Sequence, residues 1–209
     1  MIVAVDGPAA SGKGTIARAL AAHYGLPHLD TGLLYRAVAL TLKRAGGDPE
    51  SEADAVAATG FPASLLADPE LRTEATGSLA SRVSAHGGVR AALKARQQAF
   101  AAQPGGAVLD GRDIGTVIVP DADAKLYVTA SPQVRADRRV REMEQQGLAA
   151  DREAMIAEIV ARDARDMGRD NAPLMQAADA DLLDTSDLTI AEAVQKAIAL
   201  VDARVERHR

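Results

Sequence analysis

The stretch Ile2-Val3-Ala4-Val5-Asp6-Gly7-Pro8-Ala9-Ala10-Ser11-Gly12-Lys13-Gly14-Thr15 decides the fold. Ile2 to Val5 is a short apolar run rich in β-branched side chains, the pattern of a strand buried in a parallel sheet. A loop with three glycines, Gly7 to Gly14, follows it, and a helical pattern then runs from Lys13 to Tyr24. A phosphate-binding loop requires this order. Glycines let successive backbone N–H groups turn inward around phosphate oxygens, and the positive end of the helix dipole adds to the attraction. Lys13 brings a full charge able to reach β- and γ-phosphates. Gly7, Pro8, Ala9, Ala10, Ser11, Gly12, Lys13, Gly14 and Thr15 are therefore the candidate triphosphate-binding segment.

Outward from that loop the chain alternates between strand and helix signals. His28-Leu29-Asp30 reads as a brief strand end. Thr31 then opens a helix whose apolar positions Leu34, Val38 and Leu42 recur every four residues. Residues 46–70 change character: Gly46-Gly47-Asp48-Pro49, Gly60, Pro62 and Asp68-Pro69 leave room only for short helices, so the stretch reads as an insertion. Two helical patterns, about 71–85 and 89–102, are split by Gly87-Gly88. Ala107-Val108-Leu109-Asp110, Lys125-Leu126-Tyr127-Val128 and Leu182-Leu183-Asp184 are further strands. Helices at about 132–146 and 151–166 meet near Gly147, and a last one runs from about Thr189 to the end on Ile190, Val194, Ile198 and Val201. The alternation predicts an α/β fold, a parallel sheet flanked by helices that binds its ligand at the carboxyl ends of the strands. Polar loops stand at three such ends: Asp6-Gly7, Asp30-Thr31-Gly32 and Asp110-Gly111-Arg112-Asp113.

Composition narrows the class. A chain of 209 residues suits one domain with a real core. Twenty-four Lys and Arg against 29 Asp and Glu give a net charge of −5, which argues against a protein that coats nucleic acid polymers or anionic membranes, while leaving room for a local basic pocket. Of the 47% apolar residues a large share is alanine, 45 in all, so the figure signals helix more than a heavy core. The absence of cysteine excludes disulfides, thiolate metal sites and cysteine nucleophiles. The histidines at 23, 28, 86 and 208 lack metal-ligand spacing. No apolar run approaches the roughly 18 residues of a membrane span, and the N-terminal sequence lacks the basic start of a secretion signal. A cytoplasmic protein is expected, and a monomer, since no long apolar stripe lacks a core role.

Two functional classes compete for the phosphate loop: a phosphotransferase acting on a small acceptor, and a switch that hydrolyses nucleotide to change shape. A guanine-reading Asn-Lys-x-Asp or Thr-Lys-x-Asp segment is missing, and Asp110 is followed directly by Gly111 where a switch carries Asp-x-x-Gly. Arginines instead gather near the predicted rim: Arg36, Arg90 and Arg112 after breaks or strands, Arg135, Arg138, Arg139 and Arg141 on one helix, Arg162, Arg165 and Arg169 on or after the next. Phosphoryl transfer needs charge neutralised over several oxygens, a task suited to guanidinium forks.

The G-K-G-T form, with the hydroxyl at Thr15 one place later than in the strict motif, is familiar from nucleoside monophosphate kinases. It leaves the metal role of Thr15 open. Val5-Asp6-Gly7-Pro8 through Thr15, and Leu29 to Arg36, resemble the bacterial cytidylate kinase family. So do Leu71-Arg72-Thr73-Glu74 with Ser81 and Val89-Arg90, then Leu109 to Val117, then Arg162-Asp163-x-x-Asp166-x-x-Arg169-x-x-Ala172-Pro173-Leu174. The likeness covers nearly the whole chain. It implies the P-loop nucleoside monophosphate kinase fold, and transfer of the γ-phosphoryl of ATP to CMP or dCMP without a covalent intermediate. Mg²⁺ would accompany ATP, with no dedicated protein metal site. The runner-up is another small-acceptor P-loop kinase. The domain would have its core at about 1–40, 104–134 and 174–209, an acceptor-binding helical insertion at about 41–103, and a short lid at about 143–153. The family carries a small antiparallel sheet before the Arg72-Thr73 segment; residues 46–70 are short and poor in β-branched residues, so none is expected here.

The resemblance implies that Thr31 and Tyr35 line the acceptor site and that Ser81, Arg90 and Asp113 face the base. Cytosine offers an amino donor for a carboxylate and N3 and O2 acceptors for an arginine. An ion pair with Arg112, or a helix cap, is the plain alternative for Asp113. Arg36, Arg112 and Arg169 are candidate clamps on the acceptor phosphate. Arg162 and Asp166, four apart on one face, either reach the ribose or form an ordinary surface pair. Lys13, Arg135, Arg138 and Arg141 are the catalytic candidates for the transferring phosphate. Asp30 either positions Arg36 or a metal-bound water, or caps its helix.

Overall fold

Val3, Ala4 and Val5 are wholly buried, as a strand covered on both faces must be. They belong to β1 (Ile2–Asp6), the central strand of a five-stranded sheet in the computed structural model, which describes residues 1–207. The others are β2 (His28–Asp30), β3 (Ala107–Gly111), β4 (Ala124–Thr129) and β5 (Asp181–Asp184), in the order β2-β3-β1-β4-β5, and every pairing is parallel. Asp6 lies opposite Gly111, and Asp30 opposite Asp110. The register thus brings the three polar strand ends to one rim.

Helices α1 (Lys13–Tyr24) and α8 (Ile190–Arg207) cover one face, packing Ile16, Leu20, Ala197 and Val201 against Val3, Val5 and Leu126. The other face carries Leu109, Ile114 and Ile118. Between β2 and β3 lie α2 (Thr31–Ala45), α3 (Glu52–Ala57), α4 (Glu74–Val83) and α5 (Gly87–Ala101), with a core of their own built on Leu34, Val38, Leu42, Leu71 and Leu93. The four-residue rhythm of α2 is therefore its buried stripe, and the helix ends at Gly46, whose φ of 70° is cheap only for glycine. A hairpin of α6 (Pro132–Gln145) and α7 (Arg152–Met167), joined through residues 146–151, has a small separate apolar centre of Ala136, Met155 and Ile159.

The structure differs from the sequence reading at one helix boundary and at one turn. Gly87-Gly88 does not split the helices; the break is at residues 84–86, and the two glycines form the first turn of α5. Gly88 is small because α3 packs there: a Cβ on it would stand 2.7 Å from Val56 and 3.0 Å from Glu52, whose carboxylate accepts the Gly88 N–H at 2.7 Å. The sequence also gave no sign of the π-type turn at Ile114–Ile118, where Val119 N–H donates to the Ile114 carbonyl at 2.8 Å. Residues 46–70 hold α3 and short 3₁₀ turns and no strand, as their composition predicts. The predicted end of α8, with His208, lies outside the described residues. Among those described, no helix is long and apolar enough to cross a membrane.

Candidate active site

The phosphate loop is held from outside by its carbonyls. Arg135 of α6 donates from Nη1 to the Ala9 carbonyl at 3.1 Å, and Arg138 from Nη1 to the Ser11 carbonyl at 3.3 Å. Thr185, just beyond β5, adds a 3.0 Å bond to the Ser11 carbonyl. Carbonyls tied outward suit amides turned inward, the arrangement a phosphate needs. Gly12, at φ 88°, caps α1 through its own carbonyl. Ala10 carries a Cβ at φ 59°, in the region that favours glycine, so the loop holds some strain.

Lys13 lines a cavity of about 240 Å³ with Ala9, Ala10, Gly14, Arg36, Arg112, Arg139 and Arg162. Asp30 and Asp110 enter it from the ends of β2 and β3, and Glu74, Glu142 and Glu158 from α4, α6 and α7. Burial pulls the Lys13 ammonium down to about 8, and Arg112 repels it further. Burial likewise lowers Arg162 to about 10, again with Arg112 as the next cause. The Asp30 side chain does not cap α2, and Arg36 donates instead to the carbonyls of Leu71 at 2.7 Å and Thr73 at 2.9 Å. His28 Nε2 meets Asp110 Oδ1 at 2.7 Å behind the cavity.

A second, smaller cavity of about 60 Å³ adjoins the first. Its lining includes all ten residues expected to bind the acceptor: Thr31, Tyr35, Arg36, Ser81, Arg90, Arg112, Asp113, Arg162, Asp166 and Arg169. Asp113 pairs with Arg90 at 2.5 Å, and the Arg90 guanidinium lies over the Tyr35 ring, 5.4 Å from its centre. The alternative pairing of Asp113 with Arg112 does not occur; Arg112 turns to Asp166 at 2.9 Å, and the Asp113 side chain caps no helix. Asp166, buried beside Arg112 and Arg169, is held below the usual carboxylate range despite its burial. Arg162 and Asp166 therefore form no surface pair with each other. Ser81 Oγ, Arg162 Nε and Arg169 Nη2 are buried without a hydrogen-bond partner among the described residues. All three line this cavity, where a polar ligand or water would complete them.

The α6 arginines separate by role. Arg135 is buried and forks onto Asp163 of α7 at 2.5 and 3.1 Å, besides bonding Ala9. Arg138 also bonds the Thr185 carbonyl at 2.6 Å. Arg141 is exposed, bonded within its own helix to the Asp137 carbonyl, and lines a groove outside the phosphate loop with Thr15, Arg138 and Leu188. None of the three lines the Lys13 cavity. Arg139 does, paired with Glu74 and with Glu142. Sequence reasoning placed Arg139 on the right helix and did not select it, since the spacing cannot say which helix face turns inward. Ser84, which accepts from Arg169 Nη1 at 3.2 Å, gave no signal beyond its place at a helix end.

Comparison with known proteins agrees with this geometry. The cytidylate kinase family model matches residues 3–203. The cytidylate kinase of Xanthobacter autotrophicus is 60% identical over 205 residues, covering 98% of each chain. That of Bradyrhizobium sp. is 58% identical over 212 residues and all of both chains, and that of Caulobacter vibrioides 54% identical over all of this chain and 98% of its own. Among solved structures, a gluconokinase from Sinorhizobium meliloti superposes with a TM-score of 0.53 at 16% identity, over 98% of this chain and 93% of that one. An uncharacterized protein from Eubacterium ventriosum reaches 0.56 at 14%, over 97% and 99%. At such identities the structures speak for the fold alone. The match extends from the strand that opens the phosphate loop into the last helix and takes in both cavities on the way, and on that ground the chain belongs to the cytidylate kinase family.

Proposed function

We infer that the protein transfers the γ-phosphoryl of ATP to CMP or dCMP, giving ADP and CDP or dCDP. One observation carries the reading: the Lys13 cavity and the Asp113 cavity share Arg36, Arg112 and Arg162, so three guanidinium groups stand where two anionic ligands would meet. An acceptor phosphate is already an anionic nucleophile and needs no general base. Catalysis by positioning and charge neutralisation suits such a site. A hydrolytic switch has no use for a second buried cavity edged by a carboxylate–guanidinium pair.

The loop amides and Lys13 hold the triphosphate, whose nucleoside takes the groove along Thr15, Arg138 and Leu188. Arg139 joins the transferring phosphate by exchanging Glu74 for it. Asp113 accepts from the cytosine amino group, and Arg90, already at its side, donates to the ring acceptors. Ser81 supplies a free hydroxyl, and Arg162 and Asp166 reach the ribose. Uracil would turn a carbonyl toward the Asp113 carboxylate, an unmet contact costing about 1–3 kcal/mol, or roughly 5- to 150-fold. No cluster of three acidic or histidine side chains stands ready for a metal among the described residues. Asp30 and Asp110 nevertheless fit an ion that arrives with phosphate oxygens and water, since Mg²⁺ takes one or two carboxylates in such sites. Bound there, Mg²⁺ would neutralise charge on the triphosphate.

The test is an acceptor panel with ATP and Mg²⁺, read by product chromatography. CMP or dCMP is expected to yield ADP and the diphosphate in equal amounts. UMP should be disfavoured, and Asp113→Asn should narrow the gap. ATP turnover of equal speed with and without acceptor overturns the reading.

A further inference from the structure

Asp6 closes β1 and precedes the first glycine of the phosphate loop. It is buried and lines neither the Lys13 cavity nor the Asp113 cavity. A buried carboxylate is costly unless its oxygens are bonded. Both are used on one turn: Oδ1 accepts from the N–H of Ile114 and Oδ2 from the N–H of Gly115, each at 2.8 Å. Burial pushes this carboxyl up to about 7, and the two N–H bonds pull against that.

The backbone ladder between β1 and β3 ends where Asp6 faces Gly111. Beyond that point the chain must send two consecutive side chains to different partners, Arg112 to Asp166 and Asp113 to Arg90. It does so through an irregular residue, Asp113 at φ −142° and ψ 25°, and the π-type turn. The side chain of Asp6 takes over from the ladder there, gripping the two amides that follow Asp113. Lys125 lies against the same face of Gly115 as Asp6, its own ammonium fixed by Asp179. A Cβ on Gly115 would stand 3.1 Å from Lys125 Cδ and 3.4 Å from Asp6 Oδ2.

We propose that Asp6 is a specificity-determining positioning residue: it locks the turn that carries Arg112 and Asp113, and thereby ties the reading of the acceptor base to the strand from which the phosphate loop springs. This rests on the Asp113 cavity being the cytidine monophosphate site. Asparagine has the same shape with one acceptor oxygen, so it would turn an N–H₂ toward one of the two backbone donors, and the turn would come loose on that side.

Asp6→Asn, Gly115→Ala and wild-type protein are compared by steady-state kinetics with CMP and with UMP, and by calorimetric titration with ADP. The expected result for Asp6→Asn is a fall in kcat/KM for CMP of about tenfold or more and a CMP-to-UMP ratio lowered several-fold, with ADP affinity within roughly twofold of wild type. A merely structural role would lower ADP binding in parallel and leave the ratio alone; that result overturns the proposal. Should Asp6→Asn fail to fold, Gly115→Ala carries the test, since it displaces the same turn with the carboxylate in place and should move the same ratio. Wild-type protein that takes CMP and UMP alike overturns the cytidine reading and this inference with it. A wild-type preference kept by both variants overturns the inference alone.

Discussion

Arg139 and Arg141 lie two residues apart on one helix, and the site divides them. Arg139 enters the Lys13 cavity on a contact with Glu74, while Arg141 bonds its own helix and edges only the outer groove. Arg139→Ala is therefore expected to lower kcat by about 10²-fold or more, the scale on which one donor to developing charge is removed. Arg141→Ala should leave kcat within about threefold, since an exposed arginine that meets no reacting atom has little to stabilise. Rapid-quench measurement of the transfer step with saturating CMP separates the two. At this scale the sequence is most readable where chemistry leaves one choice. Lys13 could be placed from its loop, and the ten residues expected to hold an acceptor from motifs that the fold brings to one cavity. It is least readable where helix phase decides, because a rotation of 100° per residue turns a neighbouring arginine from cavity to solvent.

Among the elements, α6 shows how a charged helix can serve a loop it does not belong to. Arg135 forks onto Asp163 of α7 and reaches the Ala9 carbonyl, so one buried guanidinium binds α6, α7 and the phosphate loop together. Arg135→Leu would strand Asp163 and the carbonyls of Ala9 and Ala130. Breaking a buried pair from one side costs about 3–5 kcal/mol. The denaturant midpoint should fall accordingly, and ADP affinity with it, as the loop loses its outer tie. Strands and most helices were legible from apolar rhythm, because burial on one face or two leaves a period in the sequence. The start of α5 was not, because Gly88 answers to α3 packing against it rather than to the local chain. The turn after β3 was not, because the bonds that hold it come from Asp6, more than one hundred residues away.

Across the whole molecule, the parallel register brings three polar strand ends to one rim, and the helices around it bury Lys13 among arginines. Its ammonium titrates near 8 in the free protein, held down by burial first and by Arg112 second. The charged form is the one that would attract phosphate. Below pH 8 the ammonium is already in place; above it, a proton must be taken up with the nucleotide. ADP affinity should thus fall above pH 8 by up to about tenfold per unit, until the pKa of the complex is reached. Titration calorimetry at pH 8.5, in buffers of different ionisation heat, should register net uptake of about half a proton or more.

The α6–α7 hairpin has an apolar centre of three buried side chains, and it is tied to the phosphate loop by Arg135 and Arg138, to α4 by Arg139 and to the turn after β3 by the Arg112–Asp166 pair. Polar fastenings of this kind give a segment its own, lower threshold for detachment than an interdigitated core. The hairpin should therefore exchange its amide hydrogens with heavy water well before the strands do, and regain protection when nucleotide phosphates bridge the arginines on either side of the gap.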